Sequence, residues 1–168
     1  MDTPTMTVDV TPTVADYQYL QYWTFFSTLT GKAFVGIAGF NLVVALYAAV
    51  AFPEVLSLGI FFLPLVLVVM LVFMYIGPKR TFGAMAPMRE ARTYQLSEQG
   101  LHVQGSTFSS QTTWALLRNV VETKQAFFFF IAPQQAYIIP KRSLVNPTAL
   151  AELRKLIAIY ASAAQRRG

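Results

Sequence analysis

One apolar stretch, residues 33–76, dominates the hydrophobic pattern of the chain and carries a single charge, Glu54. An α-helix rises about 1.5 Å per residue and the hydrocarbon core of a bilayer is roughly 30 Å thick, so about 20 apolar residues cross it. The stretch is long enough for two such helices, residues 33–52 and 55–76, joined at Pro53 and Glu54. The pattern therefore predicts a transmembrane hairpin. Two buried helices of a soluble protein are the alternative, but this chain is too short to cover them on every side.

The sequence of the hairpin leads to four further predictions. Asn41 is expected to form an interhelical hydrogen bond and not to line a substrate or ion path. The small residues of the first helix are expected to allow close approach of the second helix: Gly36, Gly39, Ala45, Ala48 and Ala49. Pro64 should bend that helix. Pro78, which follows a glycine, should end it.

A short N-terminal arm, residues 1–32, precedes the hairpin. Residues 7–10 alternate between polar and apolar side chains as a strand does, and Pro12 breaks the pattern. A helical pattern rich in aromatic side chains follows, up to Phe26. Amphipathic rings favour the headgroup level of a membrane, so we expect an interfacial anchor here and not a ligand-stacking cage.

After the hairpin the apolar period changes from that of helices to that of strands. Predicted strands cover residues 93–97, 101–104, 108–114, 126–132 and 136–139, and residues 115–123 fit a short helical turn that passes into a strand. Asn146 and Pro147 are typical of the start of a helix. The expected fold class is therefore membrane α+β. A two-helix transmembrane hairpin and a basic connector, residues 77–92, precede a small antiparallel sheet domain, residues 93–168, which one C-terminal helix closes as in pleckstrin-homology-like domains.

Basic residues lie mainly after the hairpin. Residues 77–168 carry twelve Lys and Arg against four Asp and Glu, whereas the turn between the spans offers only Glu54. Short loops with many Lys and Arg stay in the cytoplasm, so we expect an inner-membrane protein with both termini cytoplasmic. Without a recognition helix or stacking motif, the charge does not indicate a nucleic-acid partner. Four connector residues should lie at the membrane surface and attract anionic headgroups: Lys79, Arg80, Arg89 and Arg92.

Several short motifs after the hairpin together resemble the YcxB-like family of small bacterial membrane proteins. They are YQLSEQGL at residues 94–101, Trp114 at the start of the next element, and IIPKR at residues 138–142. The resemblance covers nearly the whole chain. It implies a membrane-anchored, pleckstrin-homology-like domain, and it supplies neither an activity nor a catalytic residue.

Candidate catalytic chemistry is scarce in this sequence. Cysteine is absent and His102 is the single histidine, which excludes disulfides, thiolate nucleophiles and metal sites built from several His or Cys. The eight carboxylates are dispersed, and no glycine-rich phosphate motif follows a strand. We therefore expect no enzyme, no metal and no cofactor, with His102 solvated on an outer strand face.

Two kinds of function remain. The preferred hypothesis is an interaction module, held at the lipid bilayer by the hairpin, that binds a protein partner or another copy of itself. The alternative is a module that binds anionic lipid headgroups or a small ligand through Lys141 and Arg142, with Arg118 and Lys124 as further candidates.

The predicted strand at residues 126–132 contains four consecutive phenylalanines. Successive strand residues point to opposite faces, so both faces need cover. One C-terminal helix covers one pair, which leaves the other as a candidate partner surface unless the N-terminal strand or helix folds back over it. Trp114 is expected in the core, because it continues the phase of the strand before it. The four ring positions are Phe127, Phe128, Phe129 and Phe130.

Overall fold

The computed structural model describes residues 5–52 and 58–161, and these divide into two compact units. The sheet domain is discontinuous and contains residues 5–16 and 82–161. The helical segment contains residues 17–81. The sheet domain therefore draws on both sides of the apolar stretch, whereas the sequence predicted a separate N-terminal arm.

Three helices account for most of the helical segment. They are α1 (Val14–Ser27), α2 (Leu29–Ala51) and α3 (Phe62–Ala84), the last preceded by a 3-10 turn, Leu58–Phe61. The predicted turn at Pro53 and Glu54 lies outside the described residues.

Helices α2 and α3 have the length and surface of membrane spans. Each contains 23 residues, or about 35 Å of helix, and each is apolar enough to cross a bilayer. Their large apolar side chains are exposed: Phe40 is 71 %, Val50 85 % and Phe73 68 % exposed. The core helices of a soluble protein would bury such side chains, so their exposure favours a lipid environment.

Two prolines of α3 lie differently from the prediction. Pro64 is the third residue of α3 and follows the 3-10 turn closely, so it does not lie in the middle of the span. Pro78 lies inside the helix, so the prediction that it ends the span was wrong. A proline within a helix leaves nearby carbonyls without their usual donors. Three residues before Pro78, the carbonyl oxygen of Tyr75 accepts a hydrogen bond from the side-chain amide of Gln18 at 2.8 Å.

The small and polar residues of α2 also correct the prediction. A Cβ built on Gly36 or Gly39 meets nothing within 4 Å, so neither glycine marks a close helix contact among the described residues. Ala45, which the prediction also named, is buried, and so is Ala38. The buried Oδ1 of Asn41 has no hydrogen-bond partner in the described part of the chain, where an interhelical bond was expected.

Two antiparallel sheets and one longer helix form the described part of the sheet domain. The first sheet has the order β1-β2-β3-β4: β1 (Met6–Val10), β2 (Arg92–Ser97), β3 (Gly100–Gln104) and β4 (Ser109–Thr112). The second has the order β5-β6-β7: β5 (Asn119–Glu122), β6 (Ala126–Ala132) and β7 (Gln135–Pro140). The helices are α4 (Ala86–Arg89) and α5 (Pro147–Leu156), which continues into a π-helical turn, Ile157–Ala161.

The pairing of β1 with β2 joins two distant parts of the sequence. Val8 lies opposite Tyr94, and Val10 lies opposite Arg92. Neighbouring strands are about 4.8 Å apart, so the chain leaves the sheet domain after β1 and returns to it beside the same strand end. Residues 11–91 are therefore an insertion between the first two strands of one sheet.

The core of the sheet domain is built from both sheets and α5. In β1 the buried Met6, Val8 and Val10 alternate with exposed Thr7 and Asp9, as expected for a strand with one buried face. The other buried core side chains are Tyr94, Leu96, Leu101, Val103, Trp114, Leu117, Phe127, Phe129, Ile139, Leu144, Leu153, Leu156 and Ala161.

The turn between β2 and β3 requires its glycine. Gly100 has φ 143°, a conformation that L side chains rarely adopt. A Cβ at this position would lie 2.2 Å from the carbonyl oxygen of Thr112. The glycine of the YQLSEQGL motif therefore has a backbone role.

Trp114 lies in the core, as the sequence predicted. It is 5 % exposed, and it begins a 3-10 turn that ends at Leu116. Its Nε1 donates to the carbonyl oxygen of Ser97 at 2.8 Å, and its ring stacks on Tyr160 with 5.9 Å between centroids. The indole thereby joins the β2–β3 turn to the π-helical turn.

We predict that Trp114→Ala destabilises the sheet domain by about 3 to 5 kcal/mol, because it removes a large buried ring and leaves a cavity. The control is Leu116→Ala in the same turn, whose side chain is 67 % exposed and whose loss should have little effect. Chemical denaturation of the full chain in detergent micelles measures both. Equal stabilities of the two variants would contradict the core assignment.

Candidate functional site

The basic pair predicted as a ligand site lies just after β7. Pro140 ends the strand, and Lys141 and Arg142 open a 3-10 turn that ends at Ser143. The two side chains bind different carboxylates of the sheet domain. Each therefore belongs to its own ionic cluster.

Arg142 contacts a carboxylate at the start of α1. Its Nη1 and Nη2 donate to Oδ1 and Oδ2 of Asp16, each at 2.6 Å. The backbone N–H and the hydroxyl of Thr13 also donate to Oδ2, at 2.7 and 2.9 Å. The Asp16 side chain is 8 % exposed and that of Arg142 is 50 % exposed. We call Thr13, Asp16 and Arg142 the Asp16 cluster; its planar, two-pronged geometry suits arginine and not lysine.

The sequence around α1 explains one half of the Asp16 cluster. Thr13 directly precedes α1, and Asp16 is the third residue of that helix. A Thr followed three residues later by an acidic side chain is the spacing of a capping box, in which the carboxylate bonds back to the first N–H groups. The negative charge also complements the positive end of the helix dipole. This signal was present in the sequence but was not used to predict the site.

Charge and hydrogen bonding keep both members of the pair ionised. Burial alone would raise the pKa of Asp16, but the hydrogen bonds from Arg142 and Thr13 outweigh it, and the pKa lies below its ordinary value. The hydrogen bond to Asp16 raises the pKa of Arg142. Asp16 is therefore a buried carboxylate with a fixed partner and does not have the free proton-accepting capacity of a general base.

Lys141 belongs to a second cluster around Glu122, the last residue of β5. Its Nζ lies 2.6 Å from Oε1 of Glu122, and Nε and Nη2 of Arg154 donate to the same carboxylate at 3.1 and 2.7 Å. The hydrogen bonds from Arg154 and Lys141 lower the pKa of Glu122 to about 2. We call these three residues the Glu122 cluster. It joins β5, the end of β7 and α5 at the protein surface.

The four residues proposed for phosphate do not form one site. Lys141 and Arg142 bind different carboxylates, which reduces their attraction for an anionic ligand. Arg118 precedes β5 and Lys124 follows it, so about 20 Å of extended chain separates them. The geometry therefore gives the lipid or small-ligand hypothesis little support.

The four basic residues of the predicted connector are divided among several elements. Lys79 and Arg80 lie within α3, Arg89 ends α4 and Arg92 begins β2. Arg92 is half-buried, and its guanidinium donates to the backbone carbonyl of residue 87 at 2.8 Å. Of the four, Lys79, Arg80 and Arg89 are exposed.

All four phenylalanines of β6 are buried, so of the two alternatives the one in which other elements cover the second pair applies, and that pair is not an exposed partner surface. Phe127 and Phe129 belong to the core that also contains the side chains of β1. Phe128 and Phe130 point to the other face and pack edge to face, with 6.0 Å between their centroids. The exposed fractions of Phe127 to Phe130 are 1, 0, 0 and 6 %. The N-terminal strand, which the prediction named as a possible cover, thus shares the core with Phe127 and Phe129.

His102 lies on the outer, polar face of the first sheet. Its Nε2 is 2.9 Å from the hydroxyl of Ser109, and its Nδ1 is 3.4 Å from the amide oxygen of Gln95. A serine and a histidine at this distance have the spacing of a nucleophile and its base. Gln95 is neutral, however, and cannot stabilise an imidazolium as the carboxylate of a catalytic triad does. The three residues are better described as a cross-strand polar ladder.

Comparison with models of known protein families gives a match to part of the chain. Residues 96–157 match a family model described as YcxB-like protein. Searches of curated proteins and of solved structures found no match. The matched segment runs from β2 into the π-helical turn and contains Trp114, the Glu122 cluster and Arg142. The resemblance predicted from the motifs is confirmed over this segment, which is shorter than the nearly complete coverage expected.

We predict that Arg142→Ala destabilises the sheet domain by about 2 kcal/mol, because Asp16 keeps a buried charge without its partner. The figure is below that of a fully buried pair because Arg142 is half exposed. Denaturation of the full chain measures the effect, with Arg118→Ala as an exposed basic control. In the Asp16→Asn, Arg142→Ala double variant the loss should be smaller than the sum of the single losses. Additive losses would contradict a direct interaction.

We predict that acid weakens the fold through Glu122. A carboxylate whose pKa is lowered by folding stabilises the protein above its unfolded pKa, and this stability is lost as the pH falls through the folded pKa. For Glu122 the interval runs from 4.5 down to about 2. The melting temperature should fall over this interval, and Glu122→Gln should flatten the fall. A Glu122→Gln variant with an unchanged pH profile would contradict the prediction.

Proposed function

We propose that this chain, whose residues 96–157 match the YcxB-like family model, is a membrane-anchored interaction domain without catalytic activity. The observation that carries the proposal is the pairing of β1 with β2 on either side of the helical segment. The sheet domain is then joined to the membrane helices by two chain segments, one that precedes α2 and one that follows α3, and not by a single segment.

Strand pairing supports a topology with two membrane crossings. Val10 and Arg92 lie opposite each other, so both ends of residues 11–91 belong to one side of the membrane. Two crossings, by α2 and α3, return the chain to that side. The excess of Lys and Arg after α3 supports the cytoplasm as this side and the inner membrane as the location.

The architecture of the sheet domain supports an interaction role. Antiparallel sheets of four and three strands with one C-terminal helix agree with the pleckstrin-homology-like domain that the family resemblance implies. Domains of this shape expose loops, strand edges and one helix face to partners. The charged side chains of the two ionic clusters join elements of the domain, which supports a structural role for them.

The residues with potential chemistry support the absence of catalysis. In the described ranges, no group of three or more His, Asp or Glu side chains could hold a metal ion. The Ser109 and His102 pair lies on an open sheet face, where solvent would weaken any charge stabilisation. We therefore assign the domain to binding.

Reporter fusions test the topology. A fluorescent reporter joined before Met1 and a second one after Gly168 should both be active in the cytoplasm. A periplasm-dependent enzyme inserted between Pro53 and Glu54 should be active outside the inner membrane. A periplasmic signal from either terminal fusion would contradict the proposal.

Site-specific photo-crosslinking in cells tests the interaction role of the full chain. Photoreactive residues at Leu116, Val145 and Ile159 would examine three exposed apolar positions of the sheet domain. A discrete protein adduct from at least one position is expected. Adducts with lipid alone, from every position, would favour the headgroup hypothesis and contradict the proposal.

A further inference from the structure

The sheet domain has an open cleft between the start of β1 and the exposed side of α5. The cleft has a volume of about 430 Å³ and contains two charged side chains, Glu152 and Lys155, on the α5 side. Neither charge forms an ion pair with another described residue. Its lining residues are Thr5, Met6, Glu152, Lys155, Leu156 and Ile159.

Exposure and strand order both point to a contact surface at this cleft. Ile159 is 50 % exposed, and it lies in the π-helical turn that continues α5. β1 is an edge strand: it pairs with β2 on one side and with no described strand on the other. An exposed apolar side chain with a charged rim, next to an edge strand, is typical of a protein interface.

The charges of the cleft identify the occupant. Glu152 and Lys155 have opposite signs and lie three residues apart, so they are neighbours on one face of the helix. In a two-fold contact the same residues of both copies meet, with their order reversed. Two antiparallel α5 helices would therefore place Glu152 of each copy opposite Lys155 of the other. We propose that a second copy of this chain occupies the cleft across a two-fold axis through α5.

Other occupants fit the cleft less well. Its volume is within the range of small-ligand sites, but it is open, and its one positive and one negative side chain give no net attraction for an ionic ligand. An unrelated protein would need a matching pair of opposite charges, whereas a second copy carries that pair by symmetry. The cleft is therefore self-complementary.

The inference rests on the proposed function, because membrane anchoring brings the copies together. Chains anchored in one membrane share one orientation and move in two dimensions, which raises their effective concentration. A modest domain interface is then sufficient for a stable dimer.

Charge reversal in the full chain, reconstituted in liposomes, tests the dimer. Energy transfer between two dyes on separately labelled copies reports association. Glu152→Lys and Lys155→Glu should each weaken association about tenfold, because two attractive pairs become repulsive. A mixture of the two variants should associate as the wild type does, because opposite charges face each other again. Glu98→Lys and Lys124→Glu, which change exposed charges in strand turns, are the matched controls and should have no effect.

Three results would overturn the inference: a monomeric wild-type chain, single variants that associate normally, or a mixture that is not restored. Melting temperatures equal to that of the wild type exclude unfolding as the cause of a loss. The terminal reporter fusions separate this test from that of the proposed function. If both reporters are cytoplasmic and the chain is monomeric, the dimer alone is wrong.

Discussion

Backbone pairing between β1 and β2 is the constraint on which the rest of this structure depends. It places Val10 beside Arg92 and makes the intervening residues an insertion in one sheet. The core needs this strand, because Met6, Val8 and Val10 lie in the same cluster as the side chains of β2, β6 and α5. The sheet domain therefore needs both β1 and the strands that follow the second apolar helix.

The two ionic clusters complete this arrangement at the strand ends. The Asp16 cluster fixes the chain where it leaves β1 for α1, and the Glu122 cluster joins β5 and α5 to the turn after β7. Both depend on adjacent residues of the IIPKR motif, Lys141 and Arg142. A buried carboxylate is costly unless it is paired, so the guanidinium of Arg142 is needed wherever Asp16 is buried. Lys141 and Arg142 of the motif thus have a structural role in the fold.

Local patterns predicted the parts of the fold that depend on neighbouring residues. The apolar spans, the strand of phenylalanines and the capped start of α5 all follow from periodicity or from a short motif. Contacts between distant residues did not follow. Asp16 and Arg142 are 126 positions apart, and nothing in either local sequence identifies the other. The cover of the second phenylalanine pair was left open between two alternatives for the same reason, since the cover of a sheet face depends on the whole topology.

Hydrogen exchange of the full chain in nanodiscs tests most directly whether β1 is part of the sheet domain. Exchange by global unfolding affects all strands of one cooperative unit at the same rate. The slowest backbone amides of β1 should therefore be protected to the same extent as the slowest of β3, which lies beyond β2 in the sheet. Rapid exchange throughout residues 6–10, together with strong protection of residues 100–104, would show that the domain folds without β1 and would contradict the account.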